Sequence, residues 1–518
     1  MSVPHSHEDR FSRYLKALGS NYTAFVLSVG MYALTVPFLL HWLGAERYGL
    51  WLILLQLTSY LLFAITWIAA PVARHAAVCF VNRDEQQTRQ LFQTTSLYYT
   101  LCGLGSVGLA HLFAPFFLSF FRVPFAYHHD GTVALELLSV YAFGSMQLNL
   151  LCNMLTGFQR MHIANLLFGI PAALGTSLGL VALSLGFGLT GLAAGHVAAV
   201  VLLYCAGWLA TRKIRGVTFG FAHRDRALLW TLLRSGSSYL GYSLSYLLMQ
   251  SDILLVGILL GPTVVTAYGI AYKLMDYLVL LTWKIPDSLF PTIAELDIRT
   301  GSTSLRMVHT LSGKLSSAVA FLLATTLALY GHPALSLWLG AENIVPRAVF
   351  VAFAVLVVMQ ALVHSSVVIS YGTNRMDVIA PIALLEGGLK VLLVFVLLPR
   401  LGIIGIAVAT ILAQFSLTLW YVPLNACKLT GDSLRAYVSQ SIIPVLPVAL
   451  AVSVLGGLVV LITDNAWLQV ALGVPLSVAT YTAMYFYCCL SPEEYQWMAG
   501  GLQRVFRMQH VTGTGEVE

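Results

Sequence analysis

The sequence predicts an all-α integral membrane protein of about fourteen transmembrane helices, and three observations point there. Of the 518 residues, 58% are apolar or aromatic and only 10% are charged, against about 25% charged in an ordinary soluble domain. The mean hydropathy is +0.81. The apolar residues gather into runs of about 20, the length that carries a helix across a hydrocarbon core. Fourteen such spans use about 280 residues, which leaves no room for a large catalytic domain outside the membrane. The formal charge of +6 is spread thinly between apolar runs, so nucleic acid is not an expected partner.

Charged or Gly/Pro-rich breaks delimit the spans near 21–42, 48–73, 93–121, 132–156, 163–186, 189–210 and 236–260, then 263–292, 312–339, 346–371, 378–398, 402–425, 439–462 and 467–490. The first twenty residues are polar and basic, and the apolar run after them is too long for a cleaved signal segment, so it reads as a retained first span. Cytoplasmic loops carry an excess of Lys and Arg. With the amino terminus inside, 21 of the 28 basic residues fall on the cytoplasmic side. The other side holds Arg47, Arg122, Arg347 and Arg400, and Lys273, Lys284 and Lys390 lie within spans. Both termini are therefore expected in the cytoplasm.

The chain also repeats itself in order. GSNY at 19–22 matches GSSY at 236–239, and the Leu-Gly pair at 43–44 matches that at 260–261, both at an offset of 217. GFQRMH at 157–162 matches GTNRMD at 372–377, and GLTGLA at 188–193 matches GIIGIA at 402–407, at offsets of 215 and 214. A duplicated six-span unit follows. An even number of spans gives both halves the same polarity, so they are related by a pseudo-two-fold axis along the membrane normal, a transporter architecture. The expected organisation is a cytoplasmic segment 1–20, a six-helix lobe 21–211, a cytoplasmic linker 212–235, a second six-helix lobe 236–426, two additional helices within 427–490 and a cytoplasmic tail 491–518. The linker, which contains RKIRGVTFGFAHRDR at 212–226, reads as an ordinary basic cytoplasmic loop.

An ionisable group inside a span is costly and marks a cavity or a partner. On the seventh span Asp252 stands beside Gln250, and on the eighth Lys273 and Asp276 are three apart, followed by Lys284 ahead of Pro286 and Pro291. Prolines can break or kink a helix and release carbonyls. On the eleventh, Glu386 and Lys390 are four apart with the acid first, the better order for a pair. These pairs have two readings: neutralised pairs that help helices assemble, or the lining of a pathway. Lys284, far from the span ends, favours a cavity. A wet cavity with a modest positive bias would suit a substrate bearing phosphate.

No zinc-like Cys/His spacing occurs among the seven cysteines and fourteen histidines, and no HExxH, Walker A or GxSxG motif is present. No catalytic residue, metal or cofactor is therefore expected. His364, deep in a span, reads as a hydrogen-bonded core histidine.

Three stretches carry a family resemblance: LGAERYGLWLILLQLTSYL at 43–61, QSDILLVGILLGPTVVTAYGIAYKLMDYLVLLTWKIPDSLFPTIAEL at 250–296, and RLGIIGIAVATILAQ at 400–414. Together they resemble the polysaccharide transporters of the multidrug/oligosaccharidyl-lipid/polysaccharide (MOP) flippase superfamily, which include the Wzx-type flippases. The resemblance implies a two-lobe, MATE-like bundle of twelve core helices in the bacterial cytoplasmic membrane. It also implies alternating access, and transfer of a polyprenyl-pyrophosphate-linked oligosaccharide to the outer leaflet. Lys273, Lys284, Lys390 and Gln250 become the substrate-binding candidates, with Asp252, Asp276 and Glu386 tuning charge or coupling to an ion. The implied partners are the lipid-linked glycan and membrane lipid, with a polysaccharide polymerase and glycosyltransferases as candidates beside them. The extra pair of spans resembles that of lipid II flippases, but their arginine-rich first helix is missing. Two other functions compete. A cation-coupled multidrug antiporter would need an acidic site in the first lobe, where the only acid within a span is Glu136. A membrane glycan polymerase or glycosyltransferase would need reactive groups on outer loops, where the one cluster is His128, His129 and Asp130.

Overall fold

The computed structural model describes residues 7–299, 302–340, 342, 344–373 and 375–489. The tail 491–518 and the first six residues of the segment 1–20 lie outside the described residues. The described residues form helices and no strands. They run α1 (His7–Asn82), α2 (Glu85–Phe120), α3 (His128–Gly157), α4 (Met161–Gly169), α5 (Pro171–Ser184), α6 (Gly188–Thr211), α7 (Arg226–Met249), α8 (Asp252–Leu260) and α9 (Pro262–Arg299). There follow α10 (Ser302–Leu339), α11 (Arg347–Gly372), α12 (Ala380–Leu401), α13 (Ile404–Ser416), α14 (Thr418–Thr430), α15 (Leu434–Ser441), α16 (Leu446–Ile462) and α17 (Ala466–Cys488).

Among the described residues, twelve helical stretches are long and apolar enough to cross a membrane, and thirteen when α7 and α8, bent by 41° at their junction, count as one broken span. The first stretch, Val29–Thr66, holds the only further discrepancy with the fourteen expected. It is interrupted at Gly44, whose φ of 73° and ψ of 167° are not helical, so its two arms correspond to the runs at 21–42 and 48–73. An unbroken helix of α1's length would be several bilayers long; Gly44 is where its helical geometry is interrupted.

The repeat is visible in the backbone. Gly261, the partner of Gly44 at the 217-residue offset, has φ 86° and ψ 173°, nearly the same rare conformation. Gly188 and Gly402, paired at the later offset, have φ of 55° and 65°. A Cβ opposes positive φ, so the duplicated positions keep the one residue that makes each turn without strain.

By density of packing the chain groups into two units. The first comprises residues 1–273, 342–345 and 375–417, so that α12 and α13 join α1–α8. Within it, α3 is packed by α1, α2 and α6, α5 lies on α6, and α12 lies between α7 and α13. Its core gathers Ile68, Val72, Tyr99, Met146, Leu151 and Leu155, all almost fully buried. Where α1 resumes after Gly44 it approaches the start of α9 closely: Thr266 donates to the Ala45 carbonyl, and a Cβ on Gly49 would run into the Pro262 carbonyl. Gly49→Ala is therefore expected to destabilise the protein by about 1–3 kcal/mol through overpacking. The exposed Gly105→Ala, with open space around it, should be neutral or gain up to about 1 kcal/mol of helix propensity. Thermal unfolding of the two variants in one detergent checks this; equal midpoints would refute it.

The second unit comprises residues 274–341, 346–374 and 418–518. Here α10 packs on α11, and α15, α16 and α17 lie along α10. The two extra spans are attached by buried polar contacts. Ser317 donates to the Ser441 carbonyl at 2.5 Å, Ser441 to the Thr310 carbonyl at 3.0 Å, and Tyr481 to the Ala318 carbonyl at 2.7 Å; the Tyr330 and Ser477 hydroxyls meet at 3.1 Å. Lipid offers apolar helices no hydrophobic incentive to associate, so interhelical hydrogen bonds and close packing do so.

Candidate functional site

Three of the expected site residues come together in the first unit, at the junction of α7 and α8. The break leaves the last carbonyls of α7 without intrahelical donors, which a low-dielectric setting does not tolerate. Each finds one. The Leu247 carbonyl accepts from Tyr60 on α1 at 2.8 Å, the Leu248 carbonyl from the Ser251 hydroxyl at 2.6 Å, and the Met249 carbonyl from the ammonium of Lys390 on α12. The same ammonium forms an ion pair with Asp252, the first residue of α8, and Tyr268 donates to the other carboxylate oxygen at 2.8 Å. The helix dipoles favour this order, with a cation at the carboxyl end of α7 and an acid at the amino end of α8.

Lys390 and Tyr268 are 0% exposed, and Asp252 and Glu386 are 4% exposed. The pair is therefore dry, and in this conformation the Lys390 ammonium is enclosed. Its partner Asp252 comes from a distant part of the chain, which a reading of helical spacing along α12 alone does not supply. Beside the pair the protein packs less completely. The half-buried Gln250 side chain accepts from Tyr272 at 2.6 Å and donates to Tyr246 at 3.2 Å, and Tyr246 is 52% exposed. Tyr272 stacks on Tyr268 with ring centroids 5.9 Å apart. An amide held between two tyrosines, beside an aromatic stack, offers donors, acceptors and ring faces together. That is a chemistry suited to sugar hydroxyls.

Glu386 is buried on α12 one turn before Lys390, whose ion pair is with Asp252, and the remaining three candidates lie on α9. Lys273 belongs to the first unit, and Asp276 and Lys284 belong to the second; all three are half-buried. The helix continues through Pro286, which is buried and does not interrupt it. On the same turn as Lys284, Asp287 accepts from or pairs with His364 of α11 at 2.8 Å, and Trp283 stacks on the His364 ring at 4.2 Å. His364 is thus the hydrogen-bonded histidine that the sequence indicates, although Asp287, Trp283 and the tyrosines 60, 246, 268 and 272 were not singled out by it. The signal of the aromatic residues is weak, because an aromatic or a Tyr within an apolar run reads as core until its partner is known.

The other expected features are ordinary in structure. Glu136 pairs with His111 at 2.8 Å on an exposed face of the protein. His128 Nε2 meets the Val123 carbonyl at 2.9 Å within a polar turn. All seven cysteines are unpaired, and among the described residues no group of three His, Cys, Asp or Glu is arranged to hold a metal ion.

Among the described residues, twelve or thirteen helical stretches able to cross a membrane, one of them broken beside a buried ion pair, define a multi-pass, all-helical membrane fold. Solved structures agree on the fold. The chain is similar to the lipid II flippase MurJ in an inward closed conformation, with a TM-score of 0.67 and 13% identity over 90% of this chain and 97% of that one. It is similar to an inward-facing multidrug resistance MATE family transporter of the MOP superfamily, with a TM-score of 0.60 and 16% identity over 77% and 99% of the two chains. A third similarity is to the MATE multidrug transporter DinF-BH, with a TM-score of 0.56 and 14% identity over 81% and 96%. Comparison with curated protein sequences finds no match. The chain belongs to the polysaccharide biosynthesis protein family, whose model matches residues 47–344.

Proposed function

We propose that this protein is a flippase that moves a polyprenyl-pyrophosphate-linked oligosaccharide, an O-antigen or exopolysaccharide repeat unit, across the bacterial cytoplasmic membrane by alternating access. One observation carries the reading: a member of a polysaccharide biosynthesis family has the fold of membrane transporters and of a lipid II flippase. The fold is one of moving solutes across the membrane, and the family concerns glycans, so a glycan in membrane-bound form is the cargo that joins the two.

In this reading Lys284 of the second unit meets the pyrophosphate through charge-assisted hydrogen bonds, and in the first unit Lys273 stays a substrate-binding candidate while Gln250 with its tyrosines meets the sugar. Asp252, Asp276 and Glu386 tune the charge of the pathway or couple it to an ion. Lys390 meets phosphate only in a state where its pair with Asp252 opens. The six-span lobes 21–211 and 236–426 supply the alternation, both termini face the cytoplasm, and a polymerase and glycosyltransferases work beside the flippase. No catalytic step is assigned to the chain. The multidrug antiporter is not favoured, since the family concerns polysaccharide and the expected acid of the first lobe, Glu136, lies on an exposed face with His111.

The test is reconstitution in liposomes holding a polyprenyl-pyrophosphate oligosaccharide, with sugar exposure followed by a membrane-impermeant glycan-modifying enzyme. Protein-dependent exposure is expected, and Lys284→Ala should slow it by about tenfold, equivalent to about 1.4 kcal/mol. Exposure at the protein-free rate would overturn the function, and an unchanged rate in Lys284→Ala would remove that residue from the pathway.

A further inference from the structure

The basic linker between α6 and α7 is a docked element whose surface is cationic and aromatic. Three hydrogen bonds tie it to α2: the His223 amide donates to the Gln93 side chain at 2.9 Å, the Asp225 amide to the Thr94 hydroxyl at 2.9 Å, and the Gln93 side-chain amide to the Thr218 carbonyl at 3.3 Å. Arg215 pairs with Glu85 at the start of α2 at 3.1 Å. Phe219 stacks on Trp208 of α6 with centroids 3.9 Å apart and meets Phe92 of α2 edge-on, while Ile214 and Val217 are buried beneath it.

What this docking leaves outside is uniform in character. Arg212, Lys213, Arg224 and Arg226 are exposed. Phe221 is 47% exposed and Trp230 is 74% exposed. On α7, Arg226, Trp230 and Arg234 follow at intervals of four and all are exposed, so one stripe of its first turns alternates cation, indole and cation. The segment sits where one span ends and the next begins. Basic groups beside exposed aromatic rings at the end of spans are the composition of a membrane interface, where rings settle at headgroup depth and cations attract anionic lipid.

We infer that residues 212–234 form a fixed strap that binds the headgroups of anionic phospholipids in the leaflet at that end of the spans. A flexible basic loop would attract such lipids only diffusely. Here the cations are held in place by the bonds to Gln93 and Thr94, so less conformational freedom is lost when phosphates are bound. Arg215, engaged by Glu85, belongs to the docking rather than to the lipid-binding surface.

The experiment uses the full chain in nanodiscs of phosphatidylcholine containing a minor proportion of phosphatidylglycerol, followed by native mass spectrometry of the lipids retained on release. The protein should retain phosphatidylglycerol well above its bulk proportion. Each basic residue near the surface is worth up to about fivefold in attraction, so the combined Arg212→Gln, Lys213→Gln, Arg224→Gln and Arg226→Gln variant should fall to the bulk proportion. The pair Gln93→Ala and Thr94→Ala, which keeps every charge but loosens the strap, should fall part of the way. Retention unchanged in the four-residue variant, or equal retention of the two lipids by the unaltered protein, would overturn the inference. So would loss of added polyprenyl pyrophosphate alone, because the phosphate recognised would then be the cargo's and not the membrane's.

Discussion

Lys390→Met is expected to destabilise the protein by about 3–5 kcal/mol, because it leaves Asp252 buried without its counter-ion. It also strips the Met249 carbonyl of its donor at the α7–α8 break, an orphaned group of the kind that costs about 1–3 kcal/mol more. Asp252→Asn combined with Lys390→Met removes both charges and should recover most of the loss, since replacing a whole buried pair is often close to neutral. Tyr268 can still donate to the new amide oxygen. Unfolding midpoints in detergent for the two single variants and the double variant measure the coupling. If Lys390→Met unfolds like the unaltered protein, the break is not held in this way. If the double variant is as unstable as Lys390→Met, the cost lies in the carbonyl and not in the pair.

The second large effect is expected at Gln250, in the opposite sense, on transport with stability spared. The side chain is half-buried and its partner Tyr246 is exposed, so Gln250→Leu leaves no fully buried group unpaired and should change stability by less than about 1 kcal/mol. If the amide meets the glycan, the apparent affinity for the lipid-linked oligosaccharide should fall by about tenfold, which corresponds to about 1.4 kcal/mol. A polyprenyl pyrophosphate without sugar makes the comparison sharp, since its movement should not depend on Gln250. Equal losses for the two substrates would place Gln250 in the working of the broken span and not in glycan contact.

The residues that could be read from the sequence and those that could not differ in a physical way. Asp252, Lys390 and Gln250 stand out because a charge or an amide inside an apolar run is costly wherever it is placed, so composition alone marks it. Tyr268 and Tyr60 do not stand out, because a tyrosine is at home in a core, whereas Asp287 is a charge within the expected span 263–292 and carries as strong a signal as Lys284 three residues before it. Their roles come from a carboxylate, a carbonyl and an imidazole on other helices. The linker shows the same limit: its charges are plain in the sequence, but its docking depends on Gln93 and Thr94, polar residues of α2 that carry no signal of their own.

The sequence by itself determined the membrane class and the order of the apolar stretches. These rest on properties summed over about 20 residues at a time, or on glycines that alone tolerate the turns at Gly44 and Gly261. Only the tertiary structure decided which charge meets which, that α12 pins the break between α7 and α8, and that the last two spans are bound along α10. Each of those is a contact between helices distant in the chain, and the periodicity of one helix says which face is apolar but not which neighbour covers it.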